Sequence, residues 1–186
     1  MLKAEFEQAP FKNIEIADLR SFIETKLTQM LERNITRIDF AERYQGIVER
    51  YNAGGSVTET TFEELLNFGR DLNEEEERHI REGLTETELE LFDLMKKEKM
   101  TKAEEQALKN AAHLLLKRLK EEKPVVMVQD WYKDQQSQVR VKSAIEKVLD
   151  KNLPADAYDR LSFKQVCDRI YNLIFERASK GFAWEL

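Results

Sequence analysis

The sequence predicts an all-α fold, a bundle of about seven to eight amphipathic helices, and three observations carry that prediction. Six glycines and three prolines in 186 residues are too few for the many tight turns of a β-rich chain. The 35% charged residues come with abundant Glu, Leu, Lys and Ala, the residues that lose least on entering a helix. Apolar residues also recur at spacings of three and four through most of the chain, the period of one helix face. With 41% apolar content the expected organisation is a single helical domain over 1–186. The nearest candidate for an internal boundary is "YNAGGSVTET", near 52–60.

The elements come in this order. Leu19, Phe22, Ile23, Leu27 and Met30 place a first helix over Asp18 to about Arg33, with Asn34 as its stop. Thr36, with Asp39 three places on, opens a second, whose inward stripe is Phe40, Tyr44, Ile47, Val48 and Tyr51. Gly54 and Gly55 end it. A third runs from Thr61 to Leu72 with Phe62, Leu65, Leu66, Phe68 and Leu72 inward. The apolar phase then breaks, so Asn73 is expected to cap a new short helix, with the acids Glu74 to Glu77 in its first turn. Gly83 closes that helix. Thr85 with Glu88 and Thr101 with Glu104 are capping boxes that start two more. The second of these runs to about Glu122 through Leu108, Ala111, Ala112, Leu115 and Leu119, and Pro124 stops it. "VVMV", Val125 to Val128, is expected to be an extended, buried connector. A helix over Trp131 to Lys151 buries Trp131, Val141, Ile145, Val148 and Leu149. Asp134, Gln138 and Lys142 project toward its apolar side, which points to irregular first turns. A last helix, capped by Ser162, reaches about Ser179 with Phe163, Val166, Cys167, Ile170 and Ile174 inward, and Phe182 and Trp184 fold back after it.

The net charge of −6 conceals an asymmetry: residues 1–100 carry 14 Lys/Arg against 23 Asp/Glu, and residues 101–186 carry 16 against 13. A polyanion contact therefore belongs to the second half. There Lys133, Arg140, Lys147 and Lys151 share the face of their helix opposite the apolar one, with Lys117, Arg118 and Lys120 on the preceding helix. Spaced at seven, seven and four residues, the four repeat roughly every 6 to 11 Å along an axis, commensurate with duplex phosphates. A solvated face accounts for the same pattern. If regular helix starts only near Ser137, Lys133 leaves the stripe and three cations remain.

Other chemistry is thinly represented. Glu76-x-x-His79 matches half of a di-iron carboxylate motif, and His113 with Asn110 does not supply the other half. Cys167 sits on an apolar stripe, a poor place for a nucleophile and, as the single cysteine, unable to form an internal disulfide. Glu121-Glu122-Lys123 has the Glu-x-Lys spacing of a nuclease core without its sheet. No phosphate-binding glycine loop appears. No catalytic residue, metal or cofactor is assigned to the chain, and no small-molecule substrate. No basic start leads into a long apolar run, so the expected location is the cytoplasm, without a membrane contact.

With the order of segments established, the chain resembles the C-terminal helical region of the restriction (R) subunit of type I restriction-modification enzymes. The residues that carry the resemblance are "RNITRIDFAERYQGIVERYNAG" from Arg33, "REGLTETELELFDLM" from Arg81, "MTKAEEQALKNAAHLLLKRLK" from Met100, "DWYKDQQSQVRVKSAIEKVLDKNLP" from Asp130 and "YDRLSFKQVCDRIYNLIFE" from Tyr158. It implies a C-terminal fragment of a larger subunit whose nuclease domain and ATP-driven DNA translocase, with ATP and Mg, lie elsewhere. It implies a non-catalytic module docking that subunit onto methyltransferase and specificity partners, with DNA backbone contact. The family's "DW" and "VR…IE" positions fall on Asp130, Trp131, Val139, Arg140, Ile145 and Glu146 with no settled role. Two other readings stay open on the residues alone: a carboxylate-rich metal-dependent hydrolase built on Glu76 and His79, and an independent helical protein-interaction module.

Overall fold

The computed structural model describes residues 12–55, 57–121 and 126–181. Among these residues there are eight α-helices, three short 3-10 turns and no strand, the all-α class expected. They fall into two compact units that divide between Gly83 and Leu84, each with its own core.

The first unit holds α1 (Lys12–Arg33), α2 (Ile38–Asn52), α3 (Thr58–Glu76) and the one-turn α4 (Arg78–Glu82). Ile16, Ile23, Leu27 and Met30 of α1 close on Tyr44 and Ile47 of α2 and on Phe62, Leu65, Phe68 and Leu72 of α3. The first helix thus starts before Asp18, and Ile16 rather than Phe22 faces the core: Phe22, one step of about 100° away from Ile23, is 58% exposed. Asn34 does end α1, and it also sets the entry to α2. Its side chain accepts from the Thr36 N–H (3.0 Å) and hydroxyl (2.6 Å), capping a 3-10 turn over Ile35–Arg37. That turn displaces the start of α2 to Ile38, so Thr36 is not its cap.

A larger correction concerns Asn73. α3 runs through it to Glu76, and the chain breaks at Glu77 instead. The Asn73 carbonyl accepts from the Glu77 N–H at 3.2 Å, and its side-chain oxygen accepts from Lys26 Nζ of α1. Lys26 also reaches Glu76 at 2.7 Å. The acidic run therefore sits mostly in a last turn, at the negative end of the helix dipole, where it is unfavourable by itself. Lysine and arginine from other segments compensate it, which no local pattern displays. Gly54 (φ 70°) and Gly83 (φ 68°) close α2 and α4 in the left-handed region, as their positions suggested. The segment near 52–60 is a turn within this unit, between α2 and α3.

The second unit holds α5 (Glu86–Met95), α6 (Lys102–Glu121), a 3-10 turn over Trp131–Lys133, α7 (Gln135–Asn152), another over Ala155–Ala157 and α8 (Arg160–Ser179). Both capping boxes form, Thr85 with Glu88 and Thr101 with Glu104. α6 packs between α5 and α7, and α8 covers α5 and α7. Leu108, Leu115, Leu119, Val141, Ile145, Leu149, Ile170 and Ile174 are fully or nearly fully buried at the centre. Trp131 is 4% exposed and meets Tyr132, Tyr171 and Phe175 edge-on, with centroids 6.0–6.4 Å apart. The cap of the last helix is Asp159, whose carboxylate accepts from the Ser162 N–H at 2.7 Å; Ser162 lies inside the first turn. Of the expected extended connector, Val126 is buried but helical, and Met127 and Val128 are half-buried. Pro124, Val125, Phe182 and Trp184 lie outside the described residues.

Candidate nucleic-acid interface

The basic stripe changes composition where its helix begins. Asp130 takes a left-handed backbone, φ 56°, and a 3-10 turn leads from it toward α7. Lys133 lies in that turn, 3.2 Å from the Asp130 carboxylate and 5.3 Å from the Tyr132 ring centroid, so it is off the helix face. The Asp130 carboxylate raises the Lys133 pKa and is itself lowered by Lys133 and Tyr132. Asp134 then caps α7, accepting from the Ser137 N–H at 2.8 Å. The residues that conflicted with a regular start have specific contacts. Gln138 donates to the Tyr132 carbonyl at 2.7 Å, and Lys142 Nζ stands 4.4 Å over the Tyr171 ring.

Of the stripe, three cations remain on α7, Arg140, Lys147 and Lys151, all exposed. Lys147 and Lys151 face α6, where they meet Lys117 and Arg118 across a groove of about 320 Å³ floored by Leu114, Ala144 and Val148. Arg140 and Lys120 do not line it. Acids on α7 point elsewhere. Asp150 lines a different hollow beside Pro154 and Phe163, and both Glu146 and Asp150 act electrostatically on Cys167 of α8. α7 thus turns Lys147 and Lys151 toward α6, while Glu146, Asp150 and the cation Lys142 act on α8.

The remaining candidates are held by structural contacts. Lys26 at 2.7 Å and Arg33 at 3.8 Å hold the Glu76 carboxylate, and the Lys26 hydrogen bond lowers its pKa. His79 Nδ1 lies 2.8 Å from the Glu76 carbonyl oxygen, so it donates its proton there rather than joining the carboxylate in a metal pair. His113 Nδ1 lies 2.8 Å from Glu88. Burial works to raise the Glu88 pKa, but the Thr85 N–H, His113 and the Thr85 hydroxyl outweigh it and hold the group below the usual range. Burial pushes the Cys167 thiol up to about 12, reinforced by Glu146 and Asp168. Among the described residues no three His, Cys, Asp or Glu side chains are grouped to hold a metal, and no helix is long and apolar enough to cross a membrane.

Two buried ion pairs were not anticipated from sequence. Arg37, 2% exposed, donates from Nε to Glu75 at 3.0 Å, and Arg78 approaches the same carboxylate at 2.8 Å. Arg177 Nη2 lies 2.5 Å from Glu90, which is fully buried.

Among the described residues the fold is all-helical, charged side chains cross-link helices within each unit, and a groove lined by basic side chains lies between α6 and α7. Residues 2–178 match the family model for the type I restriction enzyme HindI endonuclease subunit-like, C-terminal region, and the chain belongs to that family. Comparison with curated proteins found no match, and neither did comparison with solved structures.

Proposed function

We propose that this chain is the helical assembly module of a type I restriction endonuclease subunit. It docks that subunit onto the methyltransferase and specificity subunits in the cytoplasm, and its basic face touches the DNA backbone. Cleavage and translocation, with ATP and Mg, belong to other parts of the enzyme; the chain itself contributes no catalytic residue and binds no cofactor. The observation that carries this reading is the family match over residues 2–178. It is supported by the use of Glu76, His79 and Cys167, the residues with most chemical promise, in contacts that hold helices together. The test is gel filtration of the purified chain with the methyltransferase core at about 50 μM, where even a micromolar complex is populated. A shared peak is expected. Separate elution of two folded partners would exclude docking.

A further inference from the structure

Three isoleucines at one end of the first unit are more than half exposed: Ile35 (51%), Ile38 (55%) and Ile80, which at 69% is the most exposed of the large apolar residues described. The Glu75 carboxylate gathers them, because it takes Arg37 from between the first two (3.0 Å) and Arg78 from the turn that carries the third (2.8 Å). Single exposed apolar residues need no explanation, but a group assembled from two distant segments does. Local structure does not account for it. Ile35 lies in a 3-10 turn, Ile38 opens α2 and α4 is a single turn, places where a β-branched side chain gains nothing in propensity over a polar one. The core does not account for it either, since the neighbours that enter it are Phe40, Tyr44 and Leu72. Within four residues of these isoleucines, Glu32, Asp39, Glu42 and Glu77 are exposed and, among the described residues, in no ion pair. Of the arginines at the same distance, Glu76 holds Arg33 and Glu75 holds Arg37 and Arg78, so Arg81 alone stands against the four acids among the described residues.

We infer that this end of the first unit is a docking surface for a basic, apolar segment of the methyltransferase and specificity core, with Ile35, Ile38 and Ile80 covered at its centre and the four carboxylates facing lysine or arginine at its margin. The inference rests on the proposed docking role and names the surface that carries it. An apolar centre with a charged margin is the anatomy of a protein interface. The same carboxylates repel phosphates, which makes the occupant a protein rather than DNA. A second copy of the chain seated through the same patch would set carboxylates against carboxylates, whereas a basic partner is drawn in by them.

The experiment is isothermal titration calorimetry of the purified methyltransferase and specificity core with the chain, without DNA, from about 50 to about 300 mM salt. Changing Ile35, Ile38 and Ile80 together to Ser should weaken binding by about tenfold or more. Glu32→Gln, Asp39→Asn, Glu42→Gln and Glu77→Gln together should weaken it several-fold at the lowest salt and flatten its salt dependence. Val139→Ser with Leu161→Ser, at two exposed apolar residues of the second unit, should bind as the parent does. Circular dichroism checks folding, and if the triple Ser variant is not helical, Ile80→Ser alone replaces it, with an expected loss of about fivefold. No binding by the parent chain would overturn the inference together with the docking role. Equal binding by parent and triple variant would overturn the inference alone, as would a loss confined to the Val139/Leu161 pair or tighter binding by the amide variant. A parent chain that elutes as a dimer, with a triple variant that elutes as a monomer, would assign the patch to a second copy and overturn it as well.

Discussion

Arg37 is among the largest side chains buried in the first unit, at 2% exposure, and its partner Glu75 is shared with Arg78. A buried pair adds little net stability over an apolar replacement, but removing one member strands the other. Because Glu75 keeps Arg78, Arg37→Ala should cost less than a stranded pair would, about 2 kcal/mol, read as a lower midpoint in urea, and Arg37→Met, which keeps the packed side-chain stem, should recover part of the loss. Cys167 offers a second check at this scale. Its thiol is pushed up to about 12, so at pH 8 the folded protein should leave a thiol reagent unreacted over hours and react stoichiometrically once denatured. The sequence showed Cys167 as a core residue because hydrophobic period alone decides that. It did not show Arg37 or Glu90 as buried, because a charge enters a core only where a partner from a distant segment meets it, and pairs 38 and 87 residues apart leave no local trace.

Among the elements, legibility depended on the range of the interactions that set each boundary. The Thr85 and Thr101 boxes are complete within four residues, and both were readable. Asn73 has equally good local credentials as a cap, yet Lys26, 47 residues earlier, takes its side chain, so tertiary contact overrode the local signal. Ser162 lost its capping role to Asp159, a choice between two competent neighbours that composition does not rank. The α5 start permits a pH test. The Glu88 pKa is lowered in the folded chain, so its contribution to stability is present above the ordinary carboxylate range and is lost as pH falls through the depressed value. The melting temperature should thus fall below about pH 4.5, and Glu88→Gln, which keeps a capping-box side chain, should flatten part of that fall. Glu88→Ala removes the box and should cost roughly 1 kcal/mol at neutral pH, about 2–4 °C for a chain of this size. Equal pH profiles for the parent and the Gln variant would remove Glu88 from the account.

For the whole molecule, the division into two cores escaped sequence reading because Gly83 looks like any helix end, whereas "NAGG" has a linker's composition and turns out to join two helices of one core. Charge is divided along the same boundary. Residues 1–83 carry 11 Lys/Arg against 18 Asp/Glu, a formal −7, and residues 84–186 carry 19 against 18, a formal +1. The basic groove is thus a local feature of a chain whose net charge of −6 repels DNA. How far that repulsion reaches depends on screening, with a Debye length of about 30 Å at 10 mM salt and about 8 Å at 150 mM. At low salt the whole chain's field opposes binding, and near 150 mM only the groove's immediate surroundings count. Glu42, Glu74 and Glu77 are exposed and lie in the first unit, so changing all three to Gln alters the field and leaves the groove intact. The triple variant should bind a duplex several-fold more tightly than the parent at 10 mM salt, and the two titrations should converge as salt approaches 150 mM. Identical affinities at 10 mM would mean that these three carboxylates do not contribute to the field that a duplex meets.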